Sequence, residues 1–324
     1  MDIFEGLKQQ INGKDIKIVF PEGNDFRVLG AAIRLAADGL LEPVVIGDEV
    51  AIAKLAEENG VKADGLTIIN PATYGEFDEM VASFVERRKG KATEDQARTM
   101  LQDPNYFGTM LVYMDKAEGM VSGAVHSTGD TVRPALQIIK TKPGISRTSG
   151  AFLMVREDEK YIFSDCAINV NPNAQELAEI AVASAKTAEM FDIEPKVAML
   201  SFSTKGSASA EEVTKVAEAT KIAQELAPEY QIDGEMQFDA AFVESVGKQK
   251  APDSKVAGQA TVFMFPEIQS GNIGYKIAQR LGGFQAIGPV LQGLNKPVSD
   301  LSRGCNEEDV YKLALITAGQ AAMA

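Results

Sequence analysis

Short apolar runs alternate along the chain with segments whose apolar residues recur at helical spacing. The apolar runs predict strands at Ile16–Phe20, Pro43–Ile46, Met120–Ser122, Val197–Ser201, Thr261–Phe265 and Ala286–Pro289. The periodic segments predict helices at Phe26–Ala37, Ala174–Met190, Ala210–Leu226 and Ile273–Leu281. Strands that alternate with helices in this way favour mainly parallel sheets covered on both faces. The pattern therefore indicates an α/β protein.

The middle of the chain departs from this alternation. Ala151–Arg156 and Glu159–Phe163 are apolar runs separated by a polar turn, which predicts a β-hairpin. A hairpin within an α/β chain indicates an inserted second domain, and a length of 324 residues favours two domains. Turn residues near 142–144 and 295–297 mark the two seams. We therefore predict a first domain of residues 1–143 plus 297–324 and a second, inserted domain of residues 144–296.

The charge balance narrows the range of partners. The chain has 32 Lys and Arg against 46 Asp and Glu, a net charge of −14, so long-range repulsion disfavours nucleic acid as a partner. No secretion signal and no run of membrane-spanning length is found, and only two cysteines are present. We predict a cytoplasmic protein with reduced thiols and no membrane partner. Because the protein is acidic, binding a phosphate would require arginines gathered locally.

The densest set of chemical groups lies in residues 297–309. It contains Ser302, Arg303, a flexible glycine and Asp309, between an apolar, glycine-rich segment at 287–294 and an amphipathic pattern that starts at 310. This predicts a strand, a tight loop and a helix, where α/β enzymes hold anions. A carboxylate repels an anion, so Asp309 suggests proton transfer. The alternative is that Asn306 caps the helix and Asp309 is only its capping partner.

A second candidate site follows the predicted strand Met120–Ser122. Ser127, Thr128, Gly129 and Thr131 come at the start of a predicted helix, and Arg133 adds a positive charge. Backbone N–H groups and hydroxyls in this setting favour anion binding. The alternative is an ordinary helix cap with an exposed arginine.

Two further arginines are candidates. Arg87 lies in a positively charged stretch, residues 84–91, at a predicted helix end. Its positive charge is equally compatible with a helix-dipole interaction. Arg280 ends the third turn of a helix that opens with Gly271 and Asn272. Its spacing leaves open whether it faces a cleft or solvent.

Missing motifs exclude several classes of protein. His126 is the only histidine, which argues against a histidine triad and a multi-histidine metal site and favours a structural role. Cys166 and Cys305 are interpreted as structural residues. No Walker A, GxGxxG, HExxH or paired CxxC motif is found, which counts against nucleotide motors and ordinary dinucleotide oxidoreductases. We predict no metal site.

Eight segments, in this order, resemble the phosphate acetyltransferase (phosphotransacetylase) family in its short bacterial form, without an added regulatory domain. They are FPEGNDFR at 20–27, ASFVERRKGK at 82–91, NYFGTM at 105–110, GDTVRPALQ at 129–137, DCAIN at 165–169, LSFSTKGS at 200–207, GNIGYKIAQR at 271–280 and DLSRGC at 300–305. The resemblance covers nearly the whole chain.

The resemblance implies reversible transfer of an acetyl group between acetyl phosphate and coenzyme A. The coenzyme A thiolate would attack the acyl carbon directly in a ternary complex. It also implies two α/β/α domains like those of isocitrate and isopropylmalate dehydrogenases, with the substrate cleft between them. A homodimer formed through the second domain is implied as well, with no metal and no tightly bound cofactor.

The resemblance also implies roles for particular residues. Asp309 would be the general base, Ser302 would stabilise the transition state, and Arg303 would polarise the acetyl carbonyl. The arginines that would hold phosphate or coenzyme A groups are Arg87, Arg133 and Arg280. Proton transfer from a thiol of pKa about 8.5 to an aspartate of pKa about 3.9 is uphill by roughly 6 kcal/mol unless the complex shifts both groups. We therefore expect Asp309 to lie closer to the thiol than to Arg303.

Other functions are considered beside this one. A phosphotransbutyrylase would use a longer acyl chain, and sequence does not measure pocket size. A noncatalytic acyl-phosphate sensor could retain the fold, but the intact set of Ser302, Arg303 and Asp309 argues against it. An oxidoreductase on the related scaffold would need nicotinamide and usually an aspartate cluster for a metal, which the sequence does not offer.

Overall fold

The structure is a computed structural model that describes residues 4–323. The chain forms two compact units. The first, here called the discontinuous unit, runs to Lys142 and resumes at Leu294. The second, the inserted unit, is Pro143–Gly293.

The discontinuous unit contains one sheet and the helices that cover it. Its described strands are β1 (Lys17–Phe20), β2 (Glu42–Ile46), β3 (Thr67–Ile69), β4 (Gly119–Ser122) and β11 (Val298–Asp300). Its described helices are α1 (Glu5–Ile11), α2 (Phe26–Ala37), α3 (Glu49–Glu58), α4 (Phe77–Arg88), α5 (Glu94–Met100), α6 (Pro104–Tyr113), α7 (Thr128–Ile138) and α13 (Glu307–Ala322), with a 3₁₀ turn at Pro71–Thr73. The strands lie in the order β11-β4-β1-β2-β3, and every pairing is parallel.

The inserted unit contains a sheet of mixed direction. Its strands are β5 (Ser149–Arg156), β6 (Glu159–Ser164), β7 (Lys196–Leu200), β8 (Gln231–Met236), β9 (Val262–Met264) and β10 (Gln285–Gln292). Its helices are α8 (Ala174–Met190), α9 (Glu211–Leu226), α10 (Phe238–Phe242), α11 (Glu244–Lys250) and α12 (Ile268–Arg280). The order is β10-β5-β6-β9-β7-β8, with β10 and β6 antiparallel to β5 and the other pairs parallel.

Burial of the strands explains the apolar runs in the sequence. All four residues of β4 are buried, as are the last four of β7. Because successive side chains of a strand point to opposite faces, both faces of these sheets must be covered. The hydrophobic core of the discontinuous unit contains the fully buried Phe20, Phe84 and Phe107, whereas that of the inserted unit is built around Phe263.

The predicted α/β class with mainly parallel sheets is confirmed. Helices α2 and α8 have the predicted bounds, and β5 and β6 form the predicted hairpin, with Arg156 opposite Glu159. Helix α12 begins five residues earlier than predicted, because the Glu267 carboxylate accepts the N–H groups of Gln269 and Ser270 and caps it there.

One prediction about the C-terminal segment was wrong. The apolar stretch at 287–294 was expected to be the strand that enters the Ser302 loop. Most of it belongs to β10, in the sheet of the inserted unit. The short strand β11 enters that loop instead. Among residues 4–323 no helix is both long and apolar enough to cross a bilayer.

Candidate functional site

The candidate site lies at the carboxyl edge of the sheet in the discontinuous unit. Asp300, the last residue of β11, pairs with Ser122, the last residue of β4, and β4 lies beside β1. The Leu301 N–H donates to the Ser122 carbonyl oxygen at 2.7 Å. The chain runs from β1 through β2 to β3 in one direction, whereas β4 and β11 lie on the other side of β1. Ligands of open α/β sheets bind at such a reversal of strand order.

Glu22, just beyond β1, organises the loop that follows β4. Its side chain is almost completely buried and accepts the four consecutive backbone N–H groups of residues 123–126, at 2.8–3.1 Å. His126 Nδ1 also lies 2.7 Å from Glu22 Oε1, so this nitrogen carries a proton that it donates. The only histidine therefore supports the loop, and the carboxylate fixes the path of the backbone toward α7.

Arg27 connects this loop with the one that carries Ser302 and Arg303. One guanidinium nitrogen donates to the Arg303 and Cys305 carbonyl oxygens at 2.9 and 3.0 Å, and another donates to the Ala124 carbonyl oxygen at 2.9 Å. Asp25 forms an ion pair with Arg27, whose hydrogen bonds lower the pKa of Asp25. The two loops are thus held side by side by a single guanidinium.

The loop after β11 presents the residues predicted for catalysis. Ser302 and Arg303 are exposed, and within residues 4–323 the Arg303 guanidinium has no hydrogen bond and no ion pair. Arg303 is therefore not paired with Asp309. Burial raises the pKa of the Cys305 thiol to about 11, although the Arg27 charge opposes the rise. Cys305 is then a neutral thiol at neutral pH and a poor nucleophile, in line with its predicted structural role.

Asp309 is part of the capping arrangement considered as the alternative to catalysis. Its Oδ2 accepts the Asn306 N–H at 3.0 Å, and Asn306 Oδ1 accepts the Asp309 N–H at 2.9 Å. The side chain is half-buried at the third position of α13. Because this cap engages one carboxylate oxygen, capping and proton transfer are compatible roles.

The residues at the start of α7 differ in how they are presented. Ser127, Thr128 and Gly129 are exposed. The Asp130 carboxylate accepts both the backbone N–H of Ser127, at 3.2 Å, and its hydroxyl, at 2.7 Å. Thr131 is completely buried, so in this conformation its hydroxyl is not presented to an anion in solvent. Thr128 and the helix N-terminus remain the accessible donors.

Asp300 is a buried carboxyl group that sequence reasoning missed. Burial raises its pKa to about 6 and the Glu22 charge adds to the rise, whereas the nearby polar hydroxyls of Thr128 and Thr131 oppose it. Asp300 Oδ1 and Thr131 Oγ1 have no hydrogen bond of normal geometry within the described chain. Gly123, with φ +114°, is needed here because a Cβ would lie 2.6 Å from Asp300 Oδ1.

The arginines divide into two groups, which separates structural from candidate binding residues. The chain has ten arginines. Those that pair with carboxylates are Arg27, Arg34, Arg98, Arg147 and Arg156. Those that form no ion pair with any described residue are Arg87, Arg88, Arg133, Arg280 and Arg303. In a chain with 46 acidic residues, unpaired guanidinium groups are candidate contacts for anionic substrates.

Four of these five unpaired arginines were predicted from the sequence, and within the discontinuous unit Arg133 and Arg87 lie toward opposite ends of α7. Arg133 Nη2 lies 3.9 Å from where a Cβ on Gly129 would be, so it points back toward the α7 N-terminus. Arg87 donates to the Ile138 and Ile139 carbonyl oxygens at the opposite end of α7, about 16 Å along the helix. Arg280 is exposed at the end of α12 in the inserted unit.

Comparison with known proteins identifies the family. Residues 2–318 match the sequence profile described as Phosphate acetyl/butaryl transferase. The chain belongs to this family. It is 63% identical over 320 residues to the phosphate acetyltransferase of Bacillus subtilis (strain 168), and 61% identical over 324 residues to that of Staphylococcus aureus (strain N315), with 99% of each chain covered in both cases.

Solved structures of the family have the same fold. A phosphotransacetylase from Streptococcus pyogenes matches with a TM-score of 0.97 and 64% identity, covering 99% of this chain and 98% of the other. The EutD phosphotransacetylase from Staphylococcus aureus matches with a TM-score of 0.94 and 61% identity over the same shares. A branched-chain phosphotransacylase from Enterococcus faecalis V583 is only 17% identical, with a TM-score of 0.68 and coverage of 94% and 99%, and shows similarity of fold alone.

Proposed function

We propose that this enzyme is a phosphate acetyltransferase, which interconverts acetyl-CoA plus phosphate with coenzyme A plus acetyl phosphate. Relatives that carry this name are 61–63% identical over nearly the entire chain. The observation that carries the proposal is the unpaired, exposed Arg303 on a loop tethered beside the α7 N-terminus. Arg27 holds the backbone of residue 303 beside that of Ala124, four residues before α7 begins, and a free cation near a helix N-terminus would suit transfer from an acyl phosphate.

In the proposed reaction the coenzyme A sulfur attacks the acetyl carbonyl carbon. A C–S bond forms, the bond from that carbon to the phosphate oxygen breaks, and phosphate leaves with the electron pair. Arg303 and Ser302 donate to the oxygen that becomes an oxyanion, and their exposed positions on one short loop support this role. The departing phosphate is held by Thr128, the N–H groups at the start of α7, and Arg133.

Asp309 is proposed to take the thiol proton. A carboxylate paired directly with an arginine is a weaker base, because the positive charge stabilises the ionised form. Asp309 forms no ion pair with Arg303 or with any other residue from 4 to 323, which supports its availability as a base. A structure with coenzyme A in which Asp309 instead pairs with Arg303, out of reach of the thiol, would contradict this role.

The experiment that tests the proposal follows thioester absorbance with acetyl phosphate and coenzyme A in the presence of a chelator. We expect thioester to form at full rate with the chelator, since the enzyme is proposed to need neither a metal nor a tightly bound cofactor. No thioester with either acetyl or butyryl phosphate would overturn the proposal. A series of acyl phosphates of increasing length then separates acetyl from butyryl transfer, with acetyl phosphate expected to give the highest kcat/KM.

The finer expectations concern assembly and location. The inserted domain, residues 144–296, is proposed to form a homodimer, and the first domain, residues 1–143 plus 297–324, to carry the catalytic loops. Ile273 and Ile277 on α12 and Leu281, its C-cap, recur every four residues and are 57%, 52% and 86% exposed, an apolar stripe that supports such an interface. Ile277→Lys should give a monomer by analytical ultracentrifugation, and an unchanged dimer would exclude α12 from the interface.

We further propose that the enzyme is cytoplasmic.

A further inference from the structure

Five cations lie together at the C-terminal end of α7 with no acidic partner. Arg87, Arg88, Lys89, Lys91 and Lys140, here called the basic cluster, come from the end of α4, the turn after it and the residue that follows Ile139. None of them forms an ion pair with a residue between 4 and 323. Elsewhere in this chain of net charge −14, exposed cations such as Lys54, Lys116 and Lys205 do pair with carboxylates. A cluster left unpaired is suited to an anion.

The backbone beside Lys140 is held firmly, while its side chain is exposed. Arg87 donates to the Ile138 and Ile139 carbonyl oxygens at 2.6 and 3.1 Å. Asn295 Nδ2 donates to the carbonyl oxygens of Ile139, Lys140 and Thr141 at 3.1, 3.2 and 2.8 Å. Lys140 itself has a φ of +64°. These contacts fix the point from which the Lys140 amine extends among the other cations.

The neighbouring charges change the chemistry of that amine. The Arg87 charge, followed by a small loss of hydration and the charges of Lys89, Lys91 and Arg88, lowers the pKa of Lys140. A larger fraction of Lys140 is therefore the neutral amine at a given pH, and the neutral amine is the nucleophilic form. Among the described lysines with a lowered pKa, Lys140 is the one whose largest cause is repulsion by other cations, since burial dominates for Lys215.

We propose that Lys140 is a site of self-acetylation by acetyl phosphate. Acetyl phosphate carries its phosphate directly on the acyl group, so cations that bind the phosphate hold the carbonyl carbon beside the amine. In acetyl-CoA the thioester is separated from the phosphates by the long pantetheine arm, and the same cations cannot place it there. The proposal rests on the proposed function only because that reaction would supply acetyl phosphate in the cell.

The step balances without any further reactant. The neutral Lys140 nitrogen attacks the acetyl carbon, an N–C bond forms, and the bond from that carbon to the phosphate oxygen breaks. Phosphate leaves with the electron pair, and the proton lost by the nitrogen passes to phosphate or water. The product is an uncharged amide, so each event removes one positive charge from the basic cluster.

The test measures acetylation of individual lysines by mass spectrometry after the purified full chain is incubated with acetyl phosphate. Lys221 on α9 and Lys62 after α3 are internal controls, since both are exposed and lie outside the basic cluster. We expect Lys140 to react faster than either control, because the neighbouring cations bind the phosphate of the donor and lower the pKa of the Lys140 amine. Equal rates at the three lysines would overturn the proposal.

A matched pair of double variants tests the cause. Lys89→Asn with Lys91→Gln removes two cations, and asparagine tolerates the left-handed backbone of residue 89, where φ is +49°. Lys89→Arg with Lys91→Arg retains both charges. The Lys140 rate should fall toward that of Lys221 in the first variant and remain high in the second, and equal rates in the two variants would contradict the role of the cluster.

A final arm identifies the acyl donor. Acetyl-CoA in phosphate-free buffer should acetylate Lys140 no faster than Lys221, and preferential acetylation of Lys140 by acetyl-CoA would overturn the assignment to acetyl phosphate. Because added acetyl phosphate reaches Lys140 without turnover, a catalytically inactive protein could still be acetylated. Failure of this inference is therefore distinguishable from failure of the proposed function.

Discussion

Each unit contains a buried carboxylate that accepts the backbone N–H groups of a nearby loop. In the discontinuous unit Glu22 accepts those of residues 123–126. In the inserted unit Asp165 accepts those of Gly150 and residues 167–169, at 2.9–3.2 Å, together with Asn169 Nδ2 at 2.7 Å. A carboxylate that accepts several N–H groups stabilises a loop strongly. The two loops are thus built in the same way.

They differ in what covers them. The Glu22 loop continues into an exposed segment, with Val125 54% exposed and Thr128 open to solvent. The Asp165 loop is covered by α12, which approaches so closely that a Cβ on Gly271 would lie 2.3 Å from the Asp165 carbonyl oxygen. A well-anchored loop therefore becomes a candidate site only where no helix covers it. The anchor itself does not distinguish function from stability.

The largest effect should come from residues on the open side. Arg303→Ala and Asp309→Asn should each lower kcat by about 10²–10³, because a donor to the oxyanion or the proton acceptor is lost, with little change in KM. Stability should change by less than about 0.5 kcal/mol for Arg303→Ala, since the side chain is exposed and unpaired. Steady-state kinetics measure kcat and KM, and urea unfolding measures the change in stability. An amide at 309 can still accept the Asn306 N–H, so normal turnover of Asp309→Asn would leave capping as the only role of this residue.

Replacing the two anchors compares the loops directly. Glu22→Gln and Asp165→Asn should each lower the free energy of unfolding by about 3 kcal/mol, because an amide NH₂ would face backbone N–H groups. Only Glu22→Gln should also reduce kcat/KM per folded molecule, by about tenfold or more, since its loop leads to the α7 N-terminus. Equal specific activities of the two variants, corrected for the folded fraction by circular dichroism, would remove the distinction between the loops.

Asp300 should make stability depend on pH in an unusual direction. Its folded-state pKa is about 6, above the ordinary 3.8, so the folded chain binds this proton more tightly than the unfolded chain. The resulting stabilisation is complete below about pH 4 and is lost as pH rises through about 6. Asp300→Asn should therefore exceed the parent in stability by up to about 3 kcal/mol at pH 8, and by progressively less toward pH 4. A stability difference that does not vary between pH 4 and 8 would contradict the raised pKa.

The smallest effects should separate unpaired from paired arginines. Arg133→Gln should raise KM about tenfold and leave kcat nearly unchanged, because a charge that binds substrate is lost. Arg147, which pairs with Glu176 in the inserted unit, provides the matched control. Arg147→Gln should leave kinetics unchanged and alter stability by no more than about 1 kcal/mol. Similar KM values for the two variants would argue against using missing ion pairs to locate the site.

The parts of the fold that sequence predicted are those with strong local patterns. Helices α2 and α8 combine regular apolar spacing with a polar N-cap, and their bounds were predicted correctly. Strands β3 and β11 have three residues each, and β8 includes Gln231, Asp233 and Glu235, so neither length nor apolar content marks them. Pairing with neighbours distant in sequence makes them strands.

The same contrast applies to the site. Ser302, Arg303 and Asp309 were predicted as site residues because their chemistry stands out within one short stretch of sequence. Glu22 and Arg27 act through partners about a hundred or more positions away, Ala124 for instance, and no local pattern reveals such contacts. The sequence did offer one signal for Glu22. This carboxylate, in the motif FPEG at 20–23, comes two residues after the buried apolar strand β1 ends. The carboxyl end of a strand is where α/β sheets place functional groups.

The placement of β11 has a consequence for synthesis on the ribosome. This strand completes the sheet edge beside β4, yet all of Pro143–Gly293 must be translated before it emerges. Until then Arg27 lacks its carbonyl acceptors at 303 and 305, and the growing chain has none of the residues proposed to act on acyl phosphate, Ser302, Arg303 and Asp309. Activity can appear only after the inserted unit has been made.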